Sequence, residues 1–442
     1  MKPISLILSL LASVQLSAQI SVTGTDFVEV TPEASSGLQS VYVLRDGSSA
    51  LFKVRTPQGT SVSVQRFGSL GGGFAEDVPG LKVVSDGAEL EHSWAAGSDD
   101  MGYIITQSGR QTCIWACNYA NKPYTVTDLV PAEHDCDRVR FNLVGAAPEM
   151  YYYTVNGRRV TIDRGISLEY YTLTYSADDN IYRQSIAEES LRYADGSISA
   201  PAPLCDTEFT LHPGRFGALW GAHDVMSQSV NAIAVEAETS AEQTVREADN
   251  EQKVEGQTLG GSAPCEVTFS AAVTDAAIYR RWEIATTPDF ADTYLTYDNL
   301  DFTHTFTDAG VTYVRFTANN AAGTCEYIGD TYTVTIGESR LECPNAFTPG
   351  TSEGVNDEWK VSYKSIVSFH CEIFNRWGQR LCTLTDPSQG WDGKYGGKTV
   401  GSGVYFYVIK ARGADGKDYK LSGDINVIGS RRDSSAATAP VE

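Results

Sequence analysis

Short strand-like segments separated by turn-forming residues constrain the fold of this chain more than any other feature. Residues 41–44 and 51–54 are mostly apolar and lie on either side of Asp46 and Gly47. A dipeptide of this kind between two apolar segments favours a tight turn, so the region predicts a β-hairpin.

A second hairpin is predicted over residues 151–162, where two strand-like segments flank Asn156 and Gly157. Turn signals recur about every 8–12 residues along most of the chain, which is typical of β-sandwiches. The pattern does not alternate helix and strand as a nucleotide-binding sheet does. The sequence therefore predicts an all-β protein of tandem immunoglobulin-like β-sandwich domains that ends in a compact antiparallel β-domain.

A length of 442 residues predicts about three domains. We place the first sandwich at 20–130 and the second at 131–238. Residues 239–263 carry several glutamates among Gln, Thr and Gly and almost no aromatic side chain. This composition predicts an acidic, solvated linker, with a short amphipathic helix over 241–248 as the alternative.

The third predicted unit, at 264–338, has its single tryptophan, Trp282, in the middle and aromatic residues late in the segment. With this pattern it resembles a PKD or related immunoglobulin-like domain. In such a sandwich, Phe306, Tyr313 and Phe316 are expected to pack against Trp282.

The N-terminal segment fits an exported protein. Residues 1–19 contain a lysine, an apolar run and a small-residue cleavage region, and so predict a secretory signal peptide. The apolar run is shorter than the ~18 residues that a membrane helix needs, so no membrane insertion is expected. Residues 431–442 are polar and predict a disordered tail.

The formal net charge of −22 at pH 7 restricts the partners. A chain this acidic is repelled by nucleic acid phosphates and by anionic lipid, so neither is an expected partner. No cofactor is predicted, although a structural calcium ion at an unplaced site is an alternative.

Enzyme motifs are not found. The six histidines are scattered, and none forms a His-Glu-x-x-His motif or accompanies a nucleophile elbow. The glycine-rich segment at 68–73 lacks the lysine and the helix of a phosphate-binding loop. We therefore predict a protein that is not an enzyme.

Nine cysteines in an exported chain indicate disulfides, with at least one thiol left over or bonded between chains. The pairing is not readable from the spacing. The favoured pair is Cys265 with Cys325, and two further pairs are alternatives: Cys371 with Cys382 across a predicted hairpin, and Cys136 with Cys205.

A set of ordered motifs fills residues 339–430. They are NAFTP (345–349), ND (356–357), IFNRWG (373–378), WDG (391–393), GVYFYVI (403–409) and LSGDI (421–425). In this order they resemble the gliding motility-associated C-terminal domain, the type B sorting and attachment signal of the type IX secretion system. The sequence departs from that family at residues 350–354, where Gly-Thr-Ser-Glu-Gly replaces the usual Asn-Gly-Asp-Gly loop.

The resemblance implies export through the periplasm and attachment at the outer membrane or cell surface. It also implies docking of the C-terminal domain on the secretion machinery, through an outer-membrane β-barrel protein of the SprF or PorP type. The predicted partner-binding residues cluster at predicted turns: Asn356, Asp357, Arg376, Trp377, Trp391, Asp392 and Gly393. For both tryptophans, packing in or beside the core is the alternative to partner contact.

Two functions remain open from the sequence. The first is a non-enzymatic cell-envelope protein, either cargo or an accessory component of the type IX secretion and gliding machinery. The second is a surface adhesin or glycan-binding protein that uses the C-terminal domain only for delivery. Exposed tyrosines at 151–153 or 170–171 would favour the second function, and buried ones the first.

Overall fold

The structure is a computed structural model that describes residues 20–252, 259–350 and 354–429. Strands account for 55% of it and helix for 4%, and the strands form sandwich domains, which confirms the predicted all-β class. Within these ranges, no helix is long and apolar enough to span a membrane. The predicted signal peptide and the predicted tail lie outside the described residues.

The chain divides into two compact units, Met1–Thr172 with Gln184–Ala232 and Leu173–Arg183 with Ile233–Glu442. We refer to them as unit 1 and unit 2. The elements up to residue 226 are β1 (Ile20–Thr23), β2 (Phe27–Val30), β3 (Ser40–Leu44), β4 (Leu51–Pro57), β5 (Val62–Phe67), β6 (Glu76–Asp77), β7 (Lys82–Asp86), β8 (Glu89–Ala95), β9 (Met101–Gln107), β10 (Arg110–Asn118), β11 (Asp128–His134), β12 (Arg138–Val144), β13 (Met150–Tyr153), β14 (Arg159–Ile162), β15 (Ile166–Ser176), β16 (Ile181–Leu191), β17 (Ser197–Pro201), β18 (Phe209–His212), α1 (Gly214–Leu219) and β19 (Val225–Met226).

The first sandwich of unit 1 packs a four-stranded sheet, in the order β1-β4-β8-β7, against a six-stranded sheet, β2-β3-β10-β9-β5-β6. Side chains that alternate along the strands fill the space between the sheets. Phe52 stacks on Trp94 with ring centroids 5.6 Å apart, and Tyr103 completes the aromatic group. All three side chains are almost completely buried.

The predicted hairpin over residues 41–54 does not form. β3 pairs with β2 and β10, whereas β4 pairs with β1 and β8, so the two strands belong to different sheets. The connection begins at Asp46, whose carboxylate accepts a hydrogen bond from the Ser48 N–H and starts a short 3-10 turn. The chain therefore crosses the sandwich at this point and does not return along the same sheet.

The second half of unit 1 has a three-stranded sheet, β11-β12-β17, and a four-stranded sheet, β16-β15-β18-β19. Phe141 and Phe209 meet between these sheets at 4.8 Å, and Tyr170 stacks on Phe209. Strand β11 runs through the expected domain boundary near residue 131. The hairpin predicted at 151–162 does form, as β13 paired with β14.

That hairpin joins the two halves of unit 1 through a common apolar layer. Strand β3 is buried along its whole length, because one face contributes to the first core while Val41 and Val43 point into a second core. Met150, Tyr152 and Ile162 of the β13–β14 hairpin belong to the second core. The two predicted sandwiches therefore share buried side chains and form a single compact body.

Unit 2 contains the remaining strands. They are β20 (Ala237–Gln243), β21 (Gly260–Gly261), β22 (Cys265–Val273), β23 (Tyr279–Ala285), β24 (Thr293–Tyr297), β25 (Phe302–Phe306), β26 (Gly310–Asn319), β27 (Glu326–Ile328), β28 (Tyr332–Ile336), β29 (Arg340–Glu342), β30 (Ala346–Phe347), β31 (Ser362–Lys364), β32 (Ile366–Phe374), β33 (Arg380–Leu384), β34 (Lys394–Tyr395), β35 (Lys398–Thr399), β36 (Gly403–Gly413) and β37 (Asp418–Val427).

The first part of unit 2 is a sandwich built around Trp282, which has no exposed surface. Phe316 lies 5.1 Å from the Trp282 ring, and the Trp282 Nε1–H donates to the Leu300 carbonyl at 2.9 Å. Phe306 is buried in the same core, whereas Tyr313 is only half-buried. Two of the three aromatic residues predicted around Trp282 thus belong to its core.

The segment predicted as a solvated linker is largely part of this sandwich. Ala237–Gln243 is an edge strand, β20, antiparallel to β22, and it is neither a linker nor a helix. Glu238 and Glu242 are exposed, while Thr239 and Ala241 between them are half-buried. The exposed side chains Glu238, Ser240 and Glu242 alternate with half-buried ones, so the acidic residues lie on the outward side of a strand and not in a solvated linker.

The C-terminal domain folds around a five-stranded sheet in the order β30-β37-β36-β32-β33. Two short pairs, β29–β31 and β34–β35, cover one side of it. The core between them contains two completely buried tryptophans, Trp359 and Trp391, together with Ile373, Ile409 and Ile425.

The join between the Trp282 sandwich and the C-terminal domain is mostly polar. The Asn250 side-chain amide donates to the carbonyls of Val361 and Pro387 at 2.7 and 2.8 Å. The Ser365 N–H donates to the Ser262 hydroxyl at 2.7 Å. Residues 249–252 therefore cross from the first part of unit 2 onto the C-terminal domain as an ordered strap.

Candidate partner-binding surface of the C-terminal domain

Trp391, predicted as a partner-binding residue, is buried. Its exposed fraction is 2%, and its indole N–H donates to the Lys394 carbonyl at 3.1 Å. The backbones of Trp391 and Trp359 exchange two hydrogen bonds of 2.9 and 3.0 Å. Gly393 is also buried, at φ +70, where its Cα faces Pro349. The core-packing alternative is thus correct for Trp391, because its ring fills the space below the sheet.

Asn356 and Asp357 hold a loop in place. The Thr348 N–H donates to the Asn356 carbonyl at 2.8 Å, and Asn356 itself adopts the left-handed conformation, with φ +54. The Asp357 carboxylate accepts from the N–H groups of Gly350 and Gly354 at 3.1 and 2.8 Å. These two hydrogen bonds close the loop, so the Asp357 carboxylate has a structural role.

Asp392 is half-buried, and its carboxylate accepts hydrogen bonds from Lys394. The Lys394 ammonium donates to the carboxylate at 2.8 Å and the Lys394 N–H at 3.0 Å. The ammonium contact is the main reason why the pKa of Asp392 lies below its ordinary value. Asp392 thus organises the turn that follows Trp391.

Three of the predicted residues are exposed to solvent: Asn356, and Arg376 with Trp377 on one turn. Trp377 is 75% exposed, and the Arg376 guanidinium lies 4.3 Å from the centre of its ring. The Asn375 side-chain carbonyl accepts from the N–H groups of Trp377 and Gln379, both at 3.0 Å, which fixes the turn. An exposed tryptophan on a rigid turn is a suitable anchor for a partner pocket.

Tyr395 extends this exposed site. It is 47% exposed, and its hydroxyl accepts a hydrogen bond from the Gln379 side-chain amide at 3.0 Å. Arg376, Trp377, Gln379 and Tyr395 form what we call the turn patch. The sequence identified two of its residues, because they lie in one motif, but missed Tyr395, which is on the separate strand β34.

The sequence also missed Trp359, which has no exposed surface and donates its indole N–H to the Pro344 carbonyl at 2.7 Å. Its ring lies 5.1 Å from Tyr407. Gly423 leaves room for Tyr407, since a Cβ on residue 423 would come within 2.7 Å of the Tyr407 hydroxyl. These contacts fix the side of the sheet opposite to solvent.

The cysteine pairs predicted from the sequence are not formed. Cys265 is a buried thiol, whereas Cys325 is in a disulfide, so the favoured pair is wrong. Similarly, Cys136 is disulfide-bonded, but not to Cys205. Since neither of these two predicted pairs is bonded, the strand positions of these residues misled the prediction.

Cys371 and Cys382 lie in neighbouring strands but out of register. Cys371 is opposite Leu384 and Cys382 is opposite Ile373, because a bulge after Ile373 shifts the pairing. Both are thiols, and burial raises the pKa of Cys371 to about 12. A thiol with so high a pKa is a poor nucleophile, and these residues function as core side chains.

The tyrosines that would have marked a glycan-binding face are mostly covered. Tyr152 and Tyr170 are 3% and 4% exposed. Tyr151 is half-buried between Lys122 and Arg159, which lie 4.2 and 3.9 Å from its ring centre. Tyr171, at 48%, is exposed, so neither segment presents a continuous aromatic surface.

Metal ligands are not gathered anywhere in the described ranges. No group of three or more His, Cys, Asp or Glu side chains there has the arrangement to hold a metal ion. The expectation of a chain without a cofactor, and its calcium alternative, both stay predictions.

Two family models match the chain. Residues 341–427 match the CHU_C type IX secretion signal domain. Residues 128–228 match a fibronectin type III domain, which is immunoglobulin-like. The predicted resemblance of the C-terminal domain is therefore confirmed. The first match marks the chain as cargo exported by the type IX secretion system.

Comparison with solved structures yields only distant likenesses. Latent PorU from Porphyromonas gingivalis is 12% identical with a TM-score of 0.16, and the match covers 69% of this chain and 33% of the PorU chain. The Hoc capsid protein of bacteriophage RB49 is 9% identical with a TM-score of 0.22, and the match covers 68% of this chain and 99% of the Hoc chain. A Ca²⁺-stabilized adhesin with which an Antarctic bacterium binds ice is 12% identical with a TM-score of 0.18. That match covers 94% of this chain and 100% of the adhesin chain. No curated protein matches the chain.

Proposed function

We propose that this chain is a non-enzymatic cell-envelope protein that the type IX machinery exports and that its C-terminal domain holds at the outer membrane or cell surface. It serves there as cargo or as an accessory component of the secretion and gliding machinery. The observation that carries the proposal is the match of residues 341–427 to a type IX secretion signal domain. The upstream sandwiches support it, since their aromatic residues serve mainly as core.

We further propose an outer-membrane β-barrel protein of the SprF or PorP type as the docking partner. The turn patch supports this, because Trp377 is exposed and Arg376 is stacked on it. Tryptophan and arginine are the side chains that most often dominate binding energy at interfaces. Among the predicted partner-binding residues, Trp391, Gly393 and Asp357 act indirectly by supporting the surface.

The sorting role is tested by deleting residues 341–427 from the full chain in a bacterium with type IX secretion. We expect the truncated protein to accumulate in the periplasm, while the intact chain reaches the outer membrane or surface. Fractionation and protease treatment of whole cells distinguish the two locations. Truncated protein found at the surface in normal amount would contradict the proposal.

Partner docking through the turn patch is tested with Arg376→Ala and Trp377→Ala in the full chain. We expect each to weaken binding to the purified barrel protein by roughly ten-fold or more, as a hot-spot residue does. Tyr279→Ala is the matched control, because Tyr279 is an exposed aromatic residue of the Trp282 sandwich, 62% exposed. Equal affinities for all three variants would move the docking site away from the turn patch.

The adhesin alternative lacks the observation that would have favoured it, because the tyrosine segments at 151–153 and 170–171 are mostly buried. The proposed function uses no cofactor and assigns no catalytic residue.

A further inference from the structure

The solvent side of the five-stranded sheet carries an apolar stripe. Along β36, Val404, Phe406 and Val408 are 47%, 43% and 44% exposed, while Ile409 has no exposed surface. Successive residues of a strand point to opposite faces, so the three exposed side chains share one face. We call this side of the sheet, formed by β32, β36 and β37, the outer face.

The side chains that border the stripe on the neighbouring strands are polar except for Phe374, which extends the apolar centre. Phe406 lies between Phe374 on β32 and Asp424 on β37. Val408 lies between Glu372 and Ser422. The outer face thus has an apolar centre and a polar border, which is the composition of a protein interface and not of an ordinary solvated sheet.

A row of basic side chains crosses the sheet beyond Val408. Lys410 lies directly opposite Lys420 on one side and His370 on the other. All three side chains are exposed. Like charges directly opposite each other destabilise a sheet, so this arrangement costs stability in the isolated protein.

Two other lysines of the same domain have ion-pair partners. Lys360 pairs with Asp249 and Glu358, and Lys394 pairs with Asp392. Within the described ranges, the structure gives no ion-pair partner to the ammonium groups of Lys410 and Lys420. Two adjacent ammonium groups of this kind stand out in a chain whose net charge is −22.

We propose that the outer face is a docking surface for a protein partner that places carboxylates opposite Lys410 and Lys420 and apolar side chains against Val404, Phe406 and Val408. This inference rests on the proposed function, in which the C-terminal domain binds the export or attachment machinery. It adds a second surface to the turn patch and defines the chemistry of the partner.

The dimensions of the outer face suit a protein interface. Strands β36 and β37 stay paired from Gly403 opposite Val427 to Arg412 opposite Asp418. Ten residues at about 3.4 Å each, and three strands about 4.8 Å apart, give roughly 30 by 10 Å, on the order of 300 Å². A standard interface buries about 800 Å² on each partner, so the outer face supplies the central part of one side.

A protein partner fits better than an anionic lipid surface. Glu372 and Asp424 lie on the same face as the lysines, next to the stripe. A phosphate-covered membrane would repel these carboxylates as well as the strongly acidic remainder of the chain. A protein surface can match both signs of charge at their separate positions.

The test reverses the two charges in the full chain, as Lys410→Glu with Lys420→Glu, in the type IX-secreting host. We expect the surface-exposed fraction to fall roughly ten-fold or more, since the new carboxylate at each position then repels the partner's carboxylates. The matched control is Lys82→Glu with Arg110→Glu, which makes the same charge change at exposed basic residues of unit 1. Lys410→Arg with Lys420→Arg should retain surface display.

Thermal unfolding of the purified variants separates docking from folding. The charge reversal exchanges one like-charge pair for another, so the unfolding temperature should stay close to that of the natural chain. Unchanged surface display of the reversed variant would overturn the inference, and so would a loss of display in equal measure by the control. If the reversed variant is displayed but the 341–427 deletion is not, the outer-face inference fails while the proposed function stands.

The class of partner is tested with a photo-crosslinking amino acid at position 406 in living cells, compared with the same residue at Tyr279. We expect a crosslinked protein from position 406 that disappears in the Lys410→Glu, Lys420→Glu background. Purified protein is also mixed with phosphatidylglycerol vesicles. The inference of a protein partner would be overturned in favour of lipid by two results together: no protein crosslink forms, and the natural chain binds the vesicles whereas the charge-reversed variant does not.

Discussion

The two units of this molecule join their parts by different chemistry. In unit 1, a buried apolar layer made by Val41, Val43 and Trp115 from one half and Met150 and Tyr152 from the other fuses the two sandwiches. Apolar burial of this kind is strong and not directional. Unit 1 is therefore expected to unfold as one body.

In unit 2, the only buried core residue of the Trp282 sandwich that comes from the C-terminal domain, among the described residues, is Ala414. The two parts otherwise meet through side-chain amides, hydroxyls and an exposed ion pair between Lys360 and Asp249. Hydrogen bonds of this type contribute less than buried apolar area but specify one orientation. The difference indicates that the sorting domain is held in a fixed pose without being fused into its neighbour, which suits a domain that an external machinery must recognise.

The largest expected effect is that of Trp115→Ala. The Trp115 ring contacts Phe67 of its own sandwich and Tyr153 of the β13–β14 hairpin, with centroids 6.0 and 5.7 Å apart. Removing it should reduce the unfolding free energy of unit 1 by about 3–5 kcal/mol. Chemical denaturation of the full chain measures the loss, and Trp377→Ala is the exposed control. A loss below about 1 kcal/mol would show that the two halves do not depend on a shared core.

Asn250→Ala should weaken the join in unit 2 by about 1–3 kcal/mol, because the carbonyls of Val361 and Pro387 lose their donor. Hydrogen exchange should show faster opening of β31 and its surroundings, with unit 1 unchanged. Asn345→Ala is the comparison, since Asn345 is a C-terminal-domain asparagine outside the strap. Unaltered exchange around β31 would mean that the strap does not hold the two domains together.

A smaller effect of opposite sign is expected from Lys420→Glu alone. The change replaces a like-charge pair with Lys410 by an opposite-charge pair, which should raise the stability of the C-terminal domain by about 0.2–1 kcal/mol. Lys398→Glu is the control with the same charge change. Urea unfolding at low salt measures the gain, and the gain should shrink at high salt. Destabilisation at low salt would show that the two ammonium groups do not repel each other.

The smallest effect concerns pH. The pKa of Asp392 is depressed, chiefly by the Lys394 ammonium, so its contribution to stability is present above the ordinary carboxyl value of about 4 and is lost as the pH falls through the lower folded value. Asp392→Asn should therefore be slightly less stable than the natural chain near pH 7, with the difference vanishing at strongly acid pH. A difference that grows on acidification would contradict this assignment.

Local sequence patterns predicted the strand content, the hairpin at 151–162 and the aromatic core around Trp282. They failed where contacts between distant segments determine which strands pair. The turn at Asp46 leads to the other sheet of the sandwich, which only the surrounding strands determine. The acidic strand Ala237–Gln243 forms because β22 offers a partner edge, and this overrides a composition typical of linkers.

The candidate site was predictable in part for the same reason. Arg376 and Trp377 lie together in one motif, so a single exposed turn accounts for them. Trp391 lies in an equally turn-like motif, yet the sheet covers it from the other side. The outer face escaped prediction because its basic row combines His370, Lys410 and Lys420 from three strands, a proximity that depends on register.

The most direct test of the central claim is transfer of export to an unrelated protein. A reporter enzyme with a secretory signal peptide is fused at its C-terminus to residues 233–442, which keep the strap and the C-terminal domain together, and expressed in a host with type IX secretion. The account predicts reporter activity on the cell surface, sensitive to added protease and lost when residues 341–427 are removed. Reporter retained in the periplasm in both cases, with the fused segment folded, would contradict it.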